Sequence, residues 1–164
     1  MDRFFFFGTL MDRDVLELVL DRTVTEQDLS PARLNGFARR RIAKDSFPVL
    51  IKAETESVDG QVFMGTGPVD RDRILFFEDF DYDLEPCEIE LPDGTVESAI
   101  YCGAAPTAAA TEEPWDLGSW SARHKASFLK VSRIYMDCFG KMTPEEAEDI
   151  WQNARREHQP LAAD

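Results

Sequence analysis

Four consecutive phenylalanines, residues 4–7, stand near the start of the chain and are followed directly by Gly8. Because aromatic residues favour extended backbone and bury large apolar areas, the run predicts a short, fully buried strand. Glycine adopts backbone angles that other residues avoid and lets another group approach the main chain closely, so Gly8 ends the strand. The remainder of the fold has to pack around this run.

A turn and a helix are predicted directly after the glycine. Thr9 and Asp12 can each cap that helix. Its apolar face is indicated by Val15, Leu16, Val19 and Leu20. A strand that turns into a helix leaves several backbone N–H groups unpaired at the positive end of the helix dipole, where an anion or a developing oxyanion can sit. An ordinary strand–turn–helix corner has the same pattern, so this stretch alone does not identify a binding site.

Charge and cysteine content exclude several classes of partner and site. A net charge of −14 over 164 residues argues against nucleic acid and against an anionic membrane surface, since both require clustered Lys and Arg. A hydrophobic content of 43% predicts one globular domain with a sizeable core. Cys87, Cys102 and Cys138 are far apart in sequence and predict free thiols rather than a zinc site. No apolar stretch suits a signal peptide or a membrane span, and we expect a cytoplasmic protein.

Apolar spacing and turn residues predict the other elements. Strands are expected at residues 32–43, 46–51, 57–66, 85–91 and 95–103, and helices at residues 70–77, 119–138 and from Thr143 to near His158. We expect a bulge or a close approach at Gly60, an N-cap at Asp70, and a capping box that starts at Thr143. A turn at residues 92–94 closes the hairpin, and residues 104–114 are predicted to form a loop.

Two further stretches are distinguished by their charge. Basic residues cluster in and after the second predicted strand, at Arg33, Arg39, Arg40, Arg41 and Lys44. Most are expected to face solvent, while one or two can face a pocket and hold a carboxylate.

Within residues 74–83 acidic side chains alternate with large aromatic ones, and no Lys or Arg occurs from residue 74 to residue 122. Carboxylates in this stretch therefore have no basic partner close in sequence.

Several short motifs occur in a fixed order over roughly residues 4–139. They are Phe7-Gly8-Thr9-Leu10, Leu34-x-Gly36-Phe37, Phe47-Pro48, Val58-x-Gly60, the stretch from Phe77-Glu78 to Tyr82, and then Trp115-Asp116, Trp120, His124 and Phe128. In this order they resemble the γ-glutamylcyclotransferase-like, or AIG2-like, family, whose loop motif is Tyr-Gly-Thr-Leu. The resemblance implies an α+β fold, a small curved mixed β-barrel with helices packed across it, plus C-terminal helices. We expect residues 1–140 to form this domain, residues 141–158 a helix packed on it, and residues 159–164 a tail.

The resemblance also implies an activity and a set of site residues. Enzymes of the family cyclise γ-glutamyl groups to 5-oxoproline and release an amine or amino acid, without a metal or another cofactor. Glu78 occupies the position of the general acid/base. The implied substrate-binding residues are Phe7, Gly8, Thr9, Leu10, Phe47 and Tyr82, with the loop acting largely through main-chain N–H groups. The expected partner is a small molecule that contains a γ-glutamyl group, and the oligomeric state stays open.

The surroundings of Glu78 in sequence agree with an acid/base role. An exposed glutamate titrates at about 4.3, too low for a good base at neutral pH. Glu78 ends a predicted helix, where the dipole disfavours negative charge. Its neighbours are aromatic at Phe76, Phe77 and Phe80 and acidic at Asp79, Asp81 and Asp83. Desolvation and like charge both raise a carboxyl pKa, and we predict a raised pKa for Glu78.

Three departures from the family pattern leave other functions open. Phe7 and Phe47 each replace a tyrosine, and Leu84 replaces an arginine, so polar groups are lost. A binding module that keeps the pocket without efficient chemistry is one alternative, and a protein-interaction domain that uses the acidic face is another. If the chain is an enzyme, the base-free acidic segment favours a cationic leaving group such as a polyamine or a lysine ε-amine. His124 lies on an apolar helical stripe and is expected to be a core histidine.

Overall fold

A computed structural model of the chain describes residues 3–65, 67–78, 82–104 and 109–159, and it describes Tyr82 and Ala104 by their backbone alone. The elements in chain order are β1 (Phe4–Phe6), α1 (Arg13–Leu20), β2 (Leu29–Ile42), β3 (Pro48–Phe63), α2 (Pro68–Glu78), β4 (Tyr82–Glu90), β5 (Val96–Ala104), β6 (Ala110–Pro114), α3 (Leu117–Met136) and α4 (Pro144–His158). A single 3-10 turn, Thr9–Met11, joins β1 to α1. None of the described helices is long and apolar enough to cross a bilayer.

Five strands close into a barrel. Hydrogen bonding runs through β3, β1, β5, β4 and β2 and returns from β2 to β3, while β6 is added on the outside of β2. The sheet is mixed because β1 is antiparallel to β3 and parallel to β5, whereas the other pairs are antiparallel. The helices pack across this barrel. The predicted fold class, a curved mixed β-barrel with helices across it and further helices at the C-terminal end, is confirmed.

Strand β1 is buried on both faces, as its sequence predicts. The exposed fractions of Phe4, Phe5 and Phe6 are 3%, 2% and 5%. Side chains alternate along a strand, and Phe5 belongs to a cluster made of strand residues alone, which fills the barrel. Phe4 and Phe6 belong to a second cluster, formed between the barrel and the helices. One short strand thus joins the two parts of the core.

Gly60 allows β1 to lie directly against β3. A Cβ atom at Gly60 would lie 2.4 Å from the carbonyl oxygen of Phe6 and 2.6 Å from the ring of Phe5. The sequence predicted either a bulge or a close approach of another group at Gly60, and in the structure the backbone of β1 approaches Gly60 closely. The irregularity in the ladder between β2 and β3 lies elsewhere, between Asn35 and Phe37.

Strand β3 is one continuous strand, so the prediction of separate strands at residues 46–51 and 57–66 is wrong. The residues between them, 52–56, are mostly exposed and show no alternation of apolar side chains. They nevertheless continue the strand, because β3 pairs with β2 on both sides of this stretch, from Leu50 with Arg39 to Val58 with Leu34.

Helix α2 begins at Pro68, so the prediction of an N-cap at Asp70 is wrong. The carbonyl of Gly67 accepts the amide of Arg71 at 3.2 Å, and proline suits the first turn, where its missing N–H has no partner to lose. The carboxylate of Asp70 instead accepts from Nη2 of Arg22 at 2.8 Å. The carboxylate that was expected to cap the helix therefore binds Arg22, which is distant in sequence.

Residues 104–114, predicted to form a loop, contain strand β6. It pairs with β2, and the hydroxyl of Thr111 donates to the carbonyl of Arg41 at 2.8 Å. Because β6 lies at the edge of the sheet and is largely exposed, its sequence has no alternation of apolar and polar residues.

The start of α3 differs from the prediction by two residues, since the helix begins at Leu117 with Asp116 as its N-cap and not at Ser119. The starts of α1 and α4 agree with the sequence except at Thr9. Asp12 caps α1 by accepting from the amides of Asp14 and Val15, and Thr143 with Glu146 forms the predicted capping box of α4. Thr9 does not cap α1, because it lies in the intervening 3-10 turn. These caps fix where the helices begin relative to the barrel.

We expect the Gly60→Ala variant to lose about 1–3 kcal/mol of stability, because the added methyl group overlaps the backbone of β1. Denaturant unfolding of the purified variant measures this loss. Gly118→Ala is the control, since an added Cβ at Gly118 comes no closer than 3.5 Å to the atoms around it. A Gly60→Ala variant as stable as the Gly118→Ala control would contradict the tight contact between β1 and β3.

Candidate functional site

A cavity of about 220 Å³ lies between the barrel and the helices. Its walls come from β1 and the turn that follows it, from the chain around the start of β3, from the end of α2, and from β5, α3 and α4. Six of the predicted site residues line it: Phe7, Gly8, Thr9, Leu10, Phe47 and Glu78. The side chain of the seventh, Tyr82, lies outside the described part of the chain.

The turn after β1 presents free amides at the cavity wall. Its carbonyl groups are used internally, since Gly8 accepts from the amide of Met11 and Thr9 from that of Asp12, each at 3.0 Å. By contrast, the amides of Gly8, Thr9 and Leu10 donate in none of the hydrogen bonds formed among the described residues. Successive unpartnered N–H groups at a cavity wall can bind an anionic or carbonyl oxygen.

Gly8 is required for close packing rather than for a left-handed backbone. Its φ is −127°, outside the left-handed region. A Cβ atom at this position would lie 3.0 Å from Cγ of Pro48. The absence of a side chain therefore lets the turn lie directly against the start of β3, where Phe47 and Pro48 form the next part of the wall.

Arg39 binds the same turn from outside the cavity. Its Nη1 donates to the carbonyls of Phe7 at 3.0 Å and Asp59 at 3.1 Å, and its Nε donates to the carbonyl of Trp115 at 3.1 Å. The C=O and N–H of a trans peptide point in opposite directions, so the bond to Phe7 directs the N–H of Gly8 away from Arg39. One arginine of the basic cluster is thus partly buried, but it does not line the cavity, and its guanidinium binds three backbone carbonyls.

Three of the remaining arginines in the cluster form ion pairs at the surface. They are Arg33 with Asp59 at 2.9 Å, Arg40 with Glu56 at 3.4 Å and Arg41 with Glu113 at 2.6 Å. These pairs agree with the expectation that most of the cluster faces solvent.

Glu78 is the last residue of α2 and also lines the cavity. Part of the residue stays exposed, but its carboxyl group is enclosed by protein, and this burial raises the pKa of Glu78 from its ordinary value of 4.5 to about 7. The direction agrees with the sequence-based prediction, and desolvation is its cause. The like-charge contribution expected from Asp79 and Asp81 concerns residues outside the described ranges, as does the packing of Phe80. Asp83 is described, and the rise in the pKa of Glu78 is due to desolvation and not to this acid.

Aromatic side chains and a thiol enclose the end of α2. The ring of Phe77 packs edge-on against Phe128 at 6.0 Å, and the hydroxyl of Tyr135 donates to the carbonyl of Phe76 at 2.7 Å. Cys102 lies on the cavity wall, and burial, with a smaller effect of the charge on Glu78, raises the pKa of its thiol. A neutral thiol and apolar rings solvate a carboxylate poorly, which explains why the pKa of Glu78 is raised.

Helix α4 supplies a wall that the sequence did not assign to the site. Glu148, Trp151, Gln152 and Arg155 follow the spacing of one helix face, and all line the cavity. Nη2 of Arg155 lies 3.1 Å from both carboxylate oxygens of Asp45, which ties the helix to the chain before β3. The spacing was visible in the sequence, but a solvated helix face has the same pattern.

The cavity can therefore combine proton transfer with stabilisation of an oxyanion. A carboxyl group with a pKa near neutrality can accept and return a proton, and free backbone amides can hold a developing negative charge. Within the described ranges, no three His, Cys, Asp or Glu side chains are grouped so that they could hold a metal ion.

We expect the carboxyl carbon of Glu78 to titrate with a midpoint near pH 7, measured by carbon NMR with Glu78→Gln for assignment. Between pH 4.5 and 7 the folded state retains a proton that the unfolded state releases, so the wild type should lose stability relative to Glu78→Gln as the pH rises through this window. A midpoint close to 4.5, or parallel stability curves for the two proteins, would contradict the burial of this carboxyl.

Comparison with known proteins places the chain in a family. Residues 4–122 match the family described as "Gamma-glutamyl cyclotransferase, AIG2-like". AIG2-like protein D of Arabidopsis thaliana is 27% identical over 140 residues, covering 84% of this chain and 90% of the relative. AIG2-like protein A of the same plant is 26% identical over 148 residues, covering 89% of this chain and 88% of the relative.

Solved structures share the fold. The solution structure of a protein from Arabidopsis thaliana superposes with a TM-score of 0.58 at 25% identity, covering 85% of this chain and 93% of that one. A structure of a gamma-glutamyl cyclotransferase superposes with a TM-score of 0.50 at 11% identity, covering 99% of this chain and 89% of that one. Because the sequence match extends over most of the chain and includes both the turn after β1 and the end of α2, the protein belongs to the γ-glutamyl cyclotransferase, AIG2-like family.

Proposed function

We propose that the protein is a γ-glutamyl cyclotransferase that converts a γ-glutamyl amine or peptide to 5-oxoproline and releases the amine. The observation that carries this proposal is the pairing, on one cavity, of the free amides of the turn after β1 with a carboxyl group whose pKa is about 7. Membership of the family adds support, since Glu78 and the turn both lie within the matched residues.

In the proposed reaction the α-amine of the substrate attacks its own γ-carbonyl carbon, the bond from that carbon to the leaving nitrogen breaks, and the lactam ring of 5-oxoproline forms. Glu78 in its carboxylate form takes a proton from the attacking amine and then returns it to the leaving nitrogen, so the enzyme gains no net proton. Both forms of a group with a pKa of about 7 are well populated at neutral pH, which suits the two halves of this cycle.

The cavity has to supply shape and hydrogen bonds rather than a nucleophile. Because the attacking amine and the carbonyl belong to one molecule, the walls chiefly fold the substrate into its reactive shape. The amides of Gly8, Thr9 and Leu10 hold the glutamyl part and stabilise the oxyanion on the γ-carbonyl. A single preorganised donor of this kind contributes a factor of about 10² to 10³ in rate in other enzymes.

A ligand-binding module without turnover is the second candidate. Phe7 and Phe47 both line the cavity without the hydroxyl groups that the resemblance led us to expect there. The third departure, Leu84, is 41% exposed on β4 and is not a lining residue, so it bears less on the site. A binding module would show a ligand-dependent rise in melting temperature with no release of 5-oxoproline.

We expect Glu78→Gln to lower the rate of 5-oxoproline release from γ-glutamyl amides by about 10²- to 10⁴-fold, since the amide can neither accept nor return the proton. In the wild type, the activity should rise through a pH near 7 as Glu78 becomes a carboxylate. Glu88→Gln, an exposed substitution on β4, is the matched control and should keep the wild-type rate. Near-normal turnover by a folded Glu78→Gln protein would refute the assigned role.

We expect Arg39→Lys to lower kcat by about tenfold to a hundredfold, because an ammonium group cannot hold three carbonyls as the guanidinium fork does. The pH at which activity rises should stay near 7, since Glu78 is untouched. Arg40→Lys is the control, because Arg40 pairs with Glu56 at the surface. If Arg39→Lys keeps full turnover, or shifts that pH, then Arg39 does not act by orienting the turn.

A further inference from the structure

Helix α4 forms part of the cavity although it lies beyond the residues that match the family. The match ends at residue 122, whereas α4 comprises Pro144–His158. A property of the cavity that depends on α4 therefore does not follow from the family match alone.

The helix is held firmly over the cavity. The ring of Trp151 lies 5.4 Å from that of Tyr135 and 6.3 Å from that of Phe128, both on α3. The guanidinium of Arg155 binds Asp45 and lies 5.8 Å from the ring of Phe47. These contacts make α4 a fixed wall, so its side chains can select among ligands.

The cavity wall has more acidic than basic side chains among the residues that the structure describes. Among the lining residues that the structure describes, the acids are Asp45, Glu78 and Glu148, and the one base is Arg155. Arg155 is already paired with Asp45. Glu148 is exposed at the rim and takes part in no ion pair within the described residues. The side of the cavity formed by α4 therefore carries one uncompensated negative charge, beside the polar amide of Gln152.

We propose that α4 forms the subsite for the leaving amine and that Glu148 makes this subsite prefer an amine with a second positive charge, such as a diamine. This inference rests on the proposed function. A carboxylate at the rim attracts an ammonium group directly. A neutral alkyl amine would gain only apolar contact with that wall.

The test is calorimetric binding in the Glu78→Gln background, which prevents consumption of the ligand and removes Glu78 as another source of negative charge. The probes are the mono-γ-glutamyl amide of 1,4-diaminobutane and the γ-glutamyl amide of n-pentylamine, which replaces the terminal ammonium by a methyl group. Glu148→Gln is then added, with Asp149→Asn as the matched control, because Asp149 is an exposed acid on the same helix that does not line the cavity.

We expect the diamine probe to bind about fivefold more tightly than the pentylamine probe, the upper end of what an exposed ion pair contributes. Glu148→Gln should remove this preference, Asp149→Asn should keep it, and added salt should reduce it. An unchanged preference in Glu148→Gln, a tighter fit of the neutral probe, or binding of neither probe would overturn the inference.

Turnover by the wild type separates this inference from the proposed function. If the binding preference depends on Glu148 but neither probe yields 5-oxoproline, the subsite stands and the cyclotransferase proposal falls. If 5-oxoproline is released from both probes and Glu148→Gln leaves the binding ratio unchanged, the cyclotransferase proposal stands and the role of α4 falls.

Discussion

The position of β1 inside two cores at once is the constraint on which the site depends. Phe5 fills the barrel while Phe4 and Phe6 fill the space under the helices, and Gly60 lets the strand lie against β3 without a gap. A strand anchored on both faces cannot shift, so the turn that follows it is also fixed. The free amides of that turn are thus preorganised by the core itself, and Arg39 adds the orientation of the first peptide.

Desolvation of the Glu78 carboxyl raises its pKa and lowers the stability of the folded protein once the group is ionised. Above about pH 7 the folded protein holds a charged carboxyl among aromatic rings and a thiol, which an unfolded chain would hydrate. A carboxyl placed there for packing alone would be better replaced by an apolar residue. The same burial brings its pKa to the range in which a carboxyl can exchange protons at neutral pH, which links the energetic cost to the proposed chemistry.

The sequence predicts those elements and caps that depend on residues close to one another along the chain. The buried strand at Phe4–Phe6, the hairpin of β4 with β5 and the cap of α4 each follow from a few adjacent side chains, although the strand was expected to include Phe7, which is only half-buried. The ordered motifs brought Gly8 and Glu78 together as candidates. The start of α2 was mispredicted because Pro68 opens its first turn, while Asp70, the expected cap, binds Arg22, which is distant in sequence. The roles of Arg39 and of α4 were missed because a guanidinium bound to carbonyls, and a helix face turned to a cavity, have no local signature.

The decisive measurement is a crystal structure with 5-oxoproline bound. We expect the product to lie in the cavity between β1 and α4, with its ring carbonyl oxygen within about 3.2 Å of amides in the turn after β1 and its ring nitrogen in hydrogen-bond reach of the Glu78 carboxyl. A product bound outside this cavity, or one inside it that contacts neither those amides nor Glu78, would show that the turn and Glu78 do not form the active site.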